Sequence, residues 1–431
     1  MLATATPALA ATTSDPPAAV AAGPMIEFGS GAWTYFTDPR SVSDGNKTFT
    51  GWISAGGWVH VASYDWSSGI KRERVLTPRT GSDDHNNPAL MIRPDGRIVV
   101  FYSPHSGPRI PVGRKAHMYF IVSRLPGDIS TWRSVQQVSV NARGGLGYTY
   151  PSPIMLANGE IWLAWRGGNW MPTRSILGDH GWKPARNLVA APGDRRKLFR
   201  GQLPRRPYTK YAPAKNGRVH MVYTDGHPFE DRTSIYYASV DPQSDKLYRA
   251  DGSQIGEAPV HMRRGEKIYA PRTHGNGWVM DVTDDGNGNP VIAYTAGWSR
   301  HKKVQFRLKR WTGRRWIDHF VTYASEKPRA RANKYFHSFY SGGFTVDHND
   351  PHRLFISRGV GKNYRVEVWD ADQEYENWKS QFVSPAGQGC FRPVGSVGPG
   401  PSMVLFLCGM HRTWTRYRSR VYGVPLNPRI P

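Results

Sequence analysis

Apolar residues in this chain come in short runs, each opened by a turn and closing on an aromatic or small polar residue. The pattern recurs seven times. It reads first as Gly56-Gly57-Trp58-Val59-His60-Val61-Ala62-Ser63-Tyr64, then as Gly96-Arg97-Ile98-Val99-Val100-Phe101-Tyr102 and Gly159-Glu160-Ile161-Trp162-Leu163-Ala164-Trp165. Asn216-Gly217-Arg218-Val219-His220-Met221-Val222-Tyr223 and Asn289-Pro290-Val291-Ile292-Ala293-Tyr294 follow, and Pro351-His352-Arg353-Leu354-Phe355-Ile356 and Pro401-Ser402-Met403-Val404-Leu405-Phe406-Leu407-Cys408 close the series. Runs this short, rich in β-branched and aromatic residues and bracketed by Gly, Pro and Asn, predict strands. The copies lie roughly 40 to 70 residues apart, room for one four-stranded antiparallel sheet each, and a repeated sheet that cannot bury both faces alone must stack on its neighbours. The predicted fold is all-β: a seven-bladed β-propeller of four-stranded antiparallel blades, six or eight blades being the alternatives that uneven spacing leaves open. Residues 1–24 read as a disordered arm and residues 25–431 as a single propeller.

Composition agrees with many strands joined by tight turns: the 431 residues include 45 Gly, 34 Pro and 12% aromatic residues, and no long helical period appears. The charge adds something new. At a formal +24, with basic residues dispersed and clustered only briefly at Arg195-Arg196-Lys197 and His301-Lys302-Lys303, the chain carries a field that attracts polyanions. No zinc-finger, RNP or helix-turn-helix signature accompanies it, so an acidic glycan is a better partner than nucleic acid. No apolar run is long enough for a bilayer. The opening Met1-Leu2-Ala3-Thr4-Ala5-Thr6-Pro7-Ala8-Leu9-Ala10-Ala11 looks like the tail of a secretory signal, Ala8-Leu9-Ala10 being the cleavage-like triplet, so a secreted monomer is expected. In an exported chain Cys390 and Cys408 pair as a disulfide; two buried thiols, or zinc held with His411, are the alternatives.

Candidate chemistry gathers at strand ends. His85 sits in Asp83-Asp84-His85-Asn86-Asn87-Pro88 before the run from Ala89, and His105 follows the strand ending at Tyr102. Tyr150 opens Tyr150-Pro151-Ser152-Pro153, and Arg166 ends the Trp162 strand before Gly167-Gly168-Asn169-Trp170. Two imidazoles, a phenol and a guanidinium in equivalent positions of successive units suit acid/base chemistry on an anion. A tyrosine base would need its pKa lowered, which neighbouring cations can supply. Taken singly, each has a structural reading: a turn cap for His85, a surface loop for His105, a strand-start aromatic for Tyr150, stacking between Trp165 and Trp170 for Arg166. Tyr208, Lys210 and Tyr211 before the Asn216 strand, and His227 after it, are candidates for holding neighbouring sugars, with Asn169 and Trp170; plain packing is the alternative. His337 and His348 read as structural.

These segments resemble a known family. Asp84-His85-Asn86, the His105 strand end, Thr149-Tyr150-Pro151-Ser152-Pro153, Trp165-Arg166-Gly167-Gly168-Asn169-Trp170, Arg206-Pro207-Tyr208 and Asp347-His348-Asn349-Asp350-Pro351 before Ile356-Ser357-Arg358 are similar to the seven-bladed ulvan lyases of polysaccharide lyase families 24 and 25, over roughly residues 50 to 360. The resemblance implies β-elimination at a uronate of an acidic, rhamnose- and glucuronate-containing polysaccharide. Arg166 then neutralises the carboxylate, His85 and Tyr150 form the proton-transfer pair with base and acid unassigned, and His105 and Tyr208 support them. It implies no cofactor for the chemistry. It also implies a structural metal ion, zinc or calcium, for which no complete ligand set is matched. The segments Gly178-Asp179-His180-Gly181-Trp182, Trp311-Thr312-Gly313-Arg314-Arg315-Trp316 and Glu374-Tyr375-Glu376-Asn377-Trp378 resemble degenerate Asp-box hairpins of sialidase-like propellers. A glycan-binding propeller without catalysis and a sialidase-like hydrolase are the alternative functions.

Overall fold

The computed structural model describes residues 23–105, 118–142, 147–191, 205–228, 231–272, 274–297, 303–325, 341–360 and 363–427. The Arg195–Lys197 cluster, His301, Lys302, His337 and residues 1–22 lie outside them. Among the described residues, seven antiparallel sheets of at least four strands follow one another along the chain. Blade 1 runs through Ser41–Ser43, Lys47–Ile53, Val59–Asp65 and Lys71–Leu76; blade 2 through Ala89–Ile92, Ile98–Tyr102, Met118–Val122 and Gln136–Val138. Thr149–Met155, Thr209–Pro213, Gly277–Asp284 and Phe344–Asp347 open blades 3 to 6, and Cys390–Gly395 opens blade 7. Six of the seven recurrent runs form the second strand of their blade. In blade 1 the run at Val59 is the third strand, because the more polar Lys47–Ile53 takes the second place. Blades 3 and 4 add short strands beyond four, Arg186–Asn187 in the former, Gln254–Glu257 and Glu266–Tyr269 in the latter.

The first strands of successive blades face one another around the axis. The ring closes where Ser43 N–H donates to Val397 O (2.8 Å) and Val397 N–H to Ser41 O (3.1 Å). A second closure lies outside: Ile26–Ser30 is the fourth strand of blade 7, antiparallel to Arg416–Leu426, and Gly23 N–H reaches Pro425 O at 3.0 Å. The Asp-box-like segments are the outer hairpins of blades 3, 5 and 6.

Alternation along each strand sends apolar side chains to both faces of a blade, so the core lies between blades. Trp162 of blade 3 packs with Tyr211 and Met221 of blade 4, and Phe355 and Val366 of blade 6 pack with Val404 and Phe406 of blade 7. Each such fully buried side chain contributes about 1.5–3 kcal/mol. Cys390 and Cys408 are cross-strand partners joined by a disulfide, which closes the zinc alternative at Cys408. Around the axis a cavity of about 330 Å³ is lined by Asp38, Arg40, Tyr211, Asp281 and His348 among others. Among the described residues no helix is long and apolar enough to cross a membrane.

Candidate active site

In an up-and-down blade, the chain enters the first strand on the same face of the ring where the second strand turns into the third. His85, Tyr150 and Tyr208 stand at or just before first strands, Arg166 is the penultimate residue of a second strand, and His105, Trp170 and His227 follow second strands. Three consecutive blades, 2 to 4, thus contribute to one cluster.

His85 is held by its own loop. Asp83 caps the turn Asp84–Asn86, its Oδ1 accepting from the His85 backbone N–H (2.9 Å) and lying 2.6 Å from His85 Nδ1. Asp84 Oδ1 is 2.8 Å from the same nitrogen. His105 Nδ1–H donates to the other Asp83 oxygen (2.9 Å), and the two imidazoles stack at 4.2 Å and 10°. Asn86 ties the loops together, donating to Thr80 O and Gly81 O and accepting from the His105 backbone N–H at 2.5 Å. Behind them, buried Asp84 Oδ2 accepts from Arg392 (2.6 Å) and lies 2.9 Å from His411 Nε2.

The two histidines are driven apart. Burial opposes charge on His85, but the Asp84 charge and the hydrogen bonds to Asp83 and Asp84 outweigh it and lift its pKa to about 9. Burial also acts on His105, reinforced by the His85 charge and by Arg166, and lowers its pKa to about 4 despite Asp83. Asp83 itself, pushed up by burial, is held at about 2 by the hydrogen bonds from both imidazoles. At neutral pH His85 is cationic and His105 neutral, with its Nε2 lone pair facing Arg166 NH2 at 3.3 Å.

Tyr150 sits in a bulge, where pairing slips between Thr149 and Ser152 and its own φ is 63°. That left-handed backbone is costly for a tyrosine, and it brings the ring 5.7 Å from His85 and 4.5 Å from the Arg166 guanidinium. Burial raises the phenol's pKa, and Arg166 offsets only part of this. The expected lowering by nearby cations is therefore reversed, because desolvation outweighs one guanidinium.

Arg166 is 5% exposed. Its guanidinium lies over the rings of Tyr150, Trp170 (4.8 Å) and Tyr208 (5.3 Å). Its Nε has no hydrogen-bond partner, and it forms no ion pair with a carboxylate among the described residues. The turn beyond it is tight: Asn169 and Trp170 have φ of 55° and 67°, and Asn141 Oδ1 accepts from Gly168 N–H and Trp165 Nε1–H.

Tyr208 packs on Phe36 (5.0 Å) and Trp278 (4.8 Å), and buried His227 stands edge-on to both Tyr208 and Trp278, one layer behind the opening. Lys210 and Tyr211 do not join the cluster. They lie inside the first strand of blade 4, where Lys210 pairs with Asp38 and Tyr35 O, and Tyr211 packs on Trp162. His348 pairs with Asp281, as its structural reading anticipates.

Sequence reasoning passed over Asp83 and Asp84 as mere polar neighbours of His85. It also missed Phe36, Trp278 and Arg392, and read His411 only as a possible zinc ligand. The acid doublet beside a histidine was a usable signal; Arg392 and His411 reach the site only through ring closure, and Phe36 and Trp278 by packing on Tyr208. Asp83, His85 and His105 bring three ligand-type atoms within 4.8 Å of one another. Both Nδ1 atoms hold Asp83 in this arrangement, so an ion bound through them would have to replace these hydrogen bonds.

Residues 47–324 match the family described as BNR repeat-containing family member. The chain belongs to this family. As a BNR repeat protein it is 26% identical over 267 residues to "Ulvan Lyase-PL25" of Pseudoalteromonas sp. (strain PLSV), covering 54% of this chain and 52% of that one. It is 24% identical over 298 residues to an ulvan lyase of Alteromonas sp. (strain LOR), covering 60% and 58%. The chain spans about half the length of the curated relatives it matches. A solved polysaccharide lyase PL25 ulvan lyase bound to GlcA(1-4)Rha3S superimposes with a TM-score of 0.66 at 14% identity, over 92% of this chain and 95% of the other, which supports the fold. The BNR repeat match includes His85, His105, Tyr150, Arg166 and Tyr208 and ends before His348, Arg392, His411 and Trp414.

Proposed function

We propose that this protein is a polysaccharide lyase that cleaves an acidic, uronate-containing polysaccharide of the ulvan type by β-elimination. The observation that carries the proposal is Arg166: a buried guanidinium without a carboxylate partner among the described residues, framed by aromatic rings beside two histidines and a tyrosine. A desolvated cation left unpaired is costly, and a ligand carboxylate in a bidentate fork relieves it. That same pairing stabilises the negative charge that builds when the carbon next to the carboxylate loses its proton.

The pKa values divide the remaining work. Burial keeps the Tyr150 phenol protonated, so it cannot serve as the base and is left to give its proton to the departing alkoxide oxygen. His85, made strongly basic by Asp83 and Asp84, takes one through its deprotonated fraction. His85 removes the C5 proton, the C–H electrons form the C4–C5 double bond, the C4–O bond breaks, and the leaving oxygen receives the Tyr150 proton. The product carries an unsaturated uronate. His105, neutral and bonded to Asp83, orients the Arg166 guanidinium.

The names of the relatives support this reading, as does the net charge of +24. A sialidase-like hydrolase is less well supported, since it calls for an arginine cluster and a nucleophile paired with a carboxylate, and Asp83 and Asp84 are both engaged by the His85 imidazole. We further propose a secreted monomer, with neither nucleic acid nor membrane as its partner.

Near-ultraviolet absorbance on a panel of uronate polysaccharides tests the reaction: a lyase creates a conjugated double bond, a hydrolase only reducing ends, a lectin neither. Arg166→Ala and His85→Ala are each expected to lower kcat/KM by about a thousandfold or more, Arg166→Ala with thermal unfolding near wild type and His85→Ala with a lowered Tm, because Asp83 and Asp84 lose their shared partner. Full activity in either variant refutes the assignment.

A further inference from the structure

Trp414 lies at the tip of a hairpin in blade 7, between Ser402–Thr413 and Arg416–Leu426, outside the family match. It is 48% exposed, although most large aromatics here are buried. An indole left open to water needs an explanation when its backbone is firmly held. Asp84 N–H donates to Trp414 O at 2.7 Å, Ser82 Oγ donates to Thr415 O, and Tyr417 OH donates to Ser54 O. Two of these bonds come from the loop that carries His85. They fix the tip so that the Trp414 ring stands 6.3 Å from the His85 ring at 81°. Arg412 and Arg416 flank it, both exposed.

The contacts run in a row. Trp414 touches His85, His85 stacks on His105, His105 meets Arg166, and Arg166 lies over Trp170. Reacting groups are thus bracketed by an indole from blade 7 and another from blade 3. Pyranose rings present C–H faces that pack on aromatic faces, and an exposed, rigidly mounted tryptophan is suited to that contact.

We propose that Trp414 is a sugar-stacking platform, a binding subsite for the unit adjacent to the one that reacts over His85 and Arg166, with Arg412 and Arg416 attracting the polymer's anionic groups. This rests on the lyase reading. On it, the polymer crosses the mouth from blade 7 to blade 3, and affinity for long chains depends on a residue that takes no part in the chemistry.

The test is a comparison of wild type, Trp414→Ala and Trp414→Phe on ulvan, by initial rates of near-ultraviolet absorbance. For Trp414→Ala, KM is expected to rise about tenfold with kcat within about twofold of wild type, and Trp414→Phe to recover most of the loss. The pH profile and the unfolding temperature stay unchanged. An unaltered KM in Trp414→Ala overturns the proposal, and so does a fall in kcat at constant KM, which means that the side chain only props His85. Should wild type release no unsaturated product, the lyase reading fails, and the platform is judged by tryptophan-fluorescence titration with the same polymer. A ligand-induced change present in wild type and lost in Trp414→Ala upholds it; the same response in both, or none in either, overturns it.

Discussion

At the scale of single residues, the site depends on a carboxylate shared by two stacked imidazoles. Asp83 bonds both rings, yet His85 is pushed up to about 9 and His105 down to about 4, since Asp84 and Asp83 outweigh burial at the first, while burial and the His85 charge, aided by Arg166, prevail at the second. With His85 as the base, kcat/KM should climb nearly tenfold per pH unit from 7 toward 9 and then level. Stability moves the other way. A histidine raised above its ordinary 6.5 contributes fully below that value and loses its contribution as pH rises through about 9. Rate should therefore increase over the interval in which Tm declines, which separates loss of a proton from loss of the fold. Asp83→Asn lowers the basicity of His85, so the plateau should be reached at lower pH and at a reduced rate. A profile unmoved by Asp83→Asn would remove His85 as the titrating base.

At the scale of elements, function rests on turns that bend the backbone into the left-handed region. Gly147, at φ 96°, precedes the Tyr150 bulge, and a Cβ there would stand 2.7 Å from Arg166 O. Gly159, at φ 83°, occupies the hairpin at the far end of the same two strands and has nothing within 4 Å. Both Gly→Ala changes carry the backbone penalty of about 1–2 kcal/mol. Only Gly147→Ala should also displace the Arg166 strand end and lower kcat/KM, by about tenfold or more. Chemical denaturation and initial rates measure the two effects. Elements of this kind were also where sequence reading stopped. The apolar runs and outer hairpins were legible because period and turn residues are local signals. For Lys210 and Tyr211 the packing alternative is the one the fold supports, because the first strand of blade 4 begins at Thr209 and both side chains are buried within it.

At the scale of the whole molecule, the ring brings together residues that no local pattern connects. Arg392 and His411 reach Asp84 across 308 and 327 positions of sequence, and both lie in the last blade. Their part in supporting His85 could not be read before the ring was seen to close, whereas His85, His105, Tyr150 and Arg166 were singled out because each stands at one end of a strand pattern. The net charge also acts at this scale. An excess of +24 steers a polyanion toward the surface from a distance and is screened by salt. Raising ionic strength from about 0.02 to 0.5 M should lower kcat/KM on an acidic polymer by about tenfold, mostly through KM. A salt-independent rate would mean that the charge serves some other purpose. The outer closure has a different consequence. Gly23 and Pro425 are one hydrogen bond apart, so the two ends of the described chain already meet on the rim of blade 7. Linking them and reopening the polypeptide at an exposed outer turn such as Asp179-His180 should give a circular permutant that rebuilds the same mouth, with its new termini on a blade edge where a fusion partner can be attached.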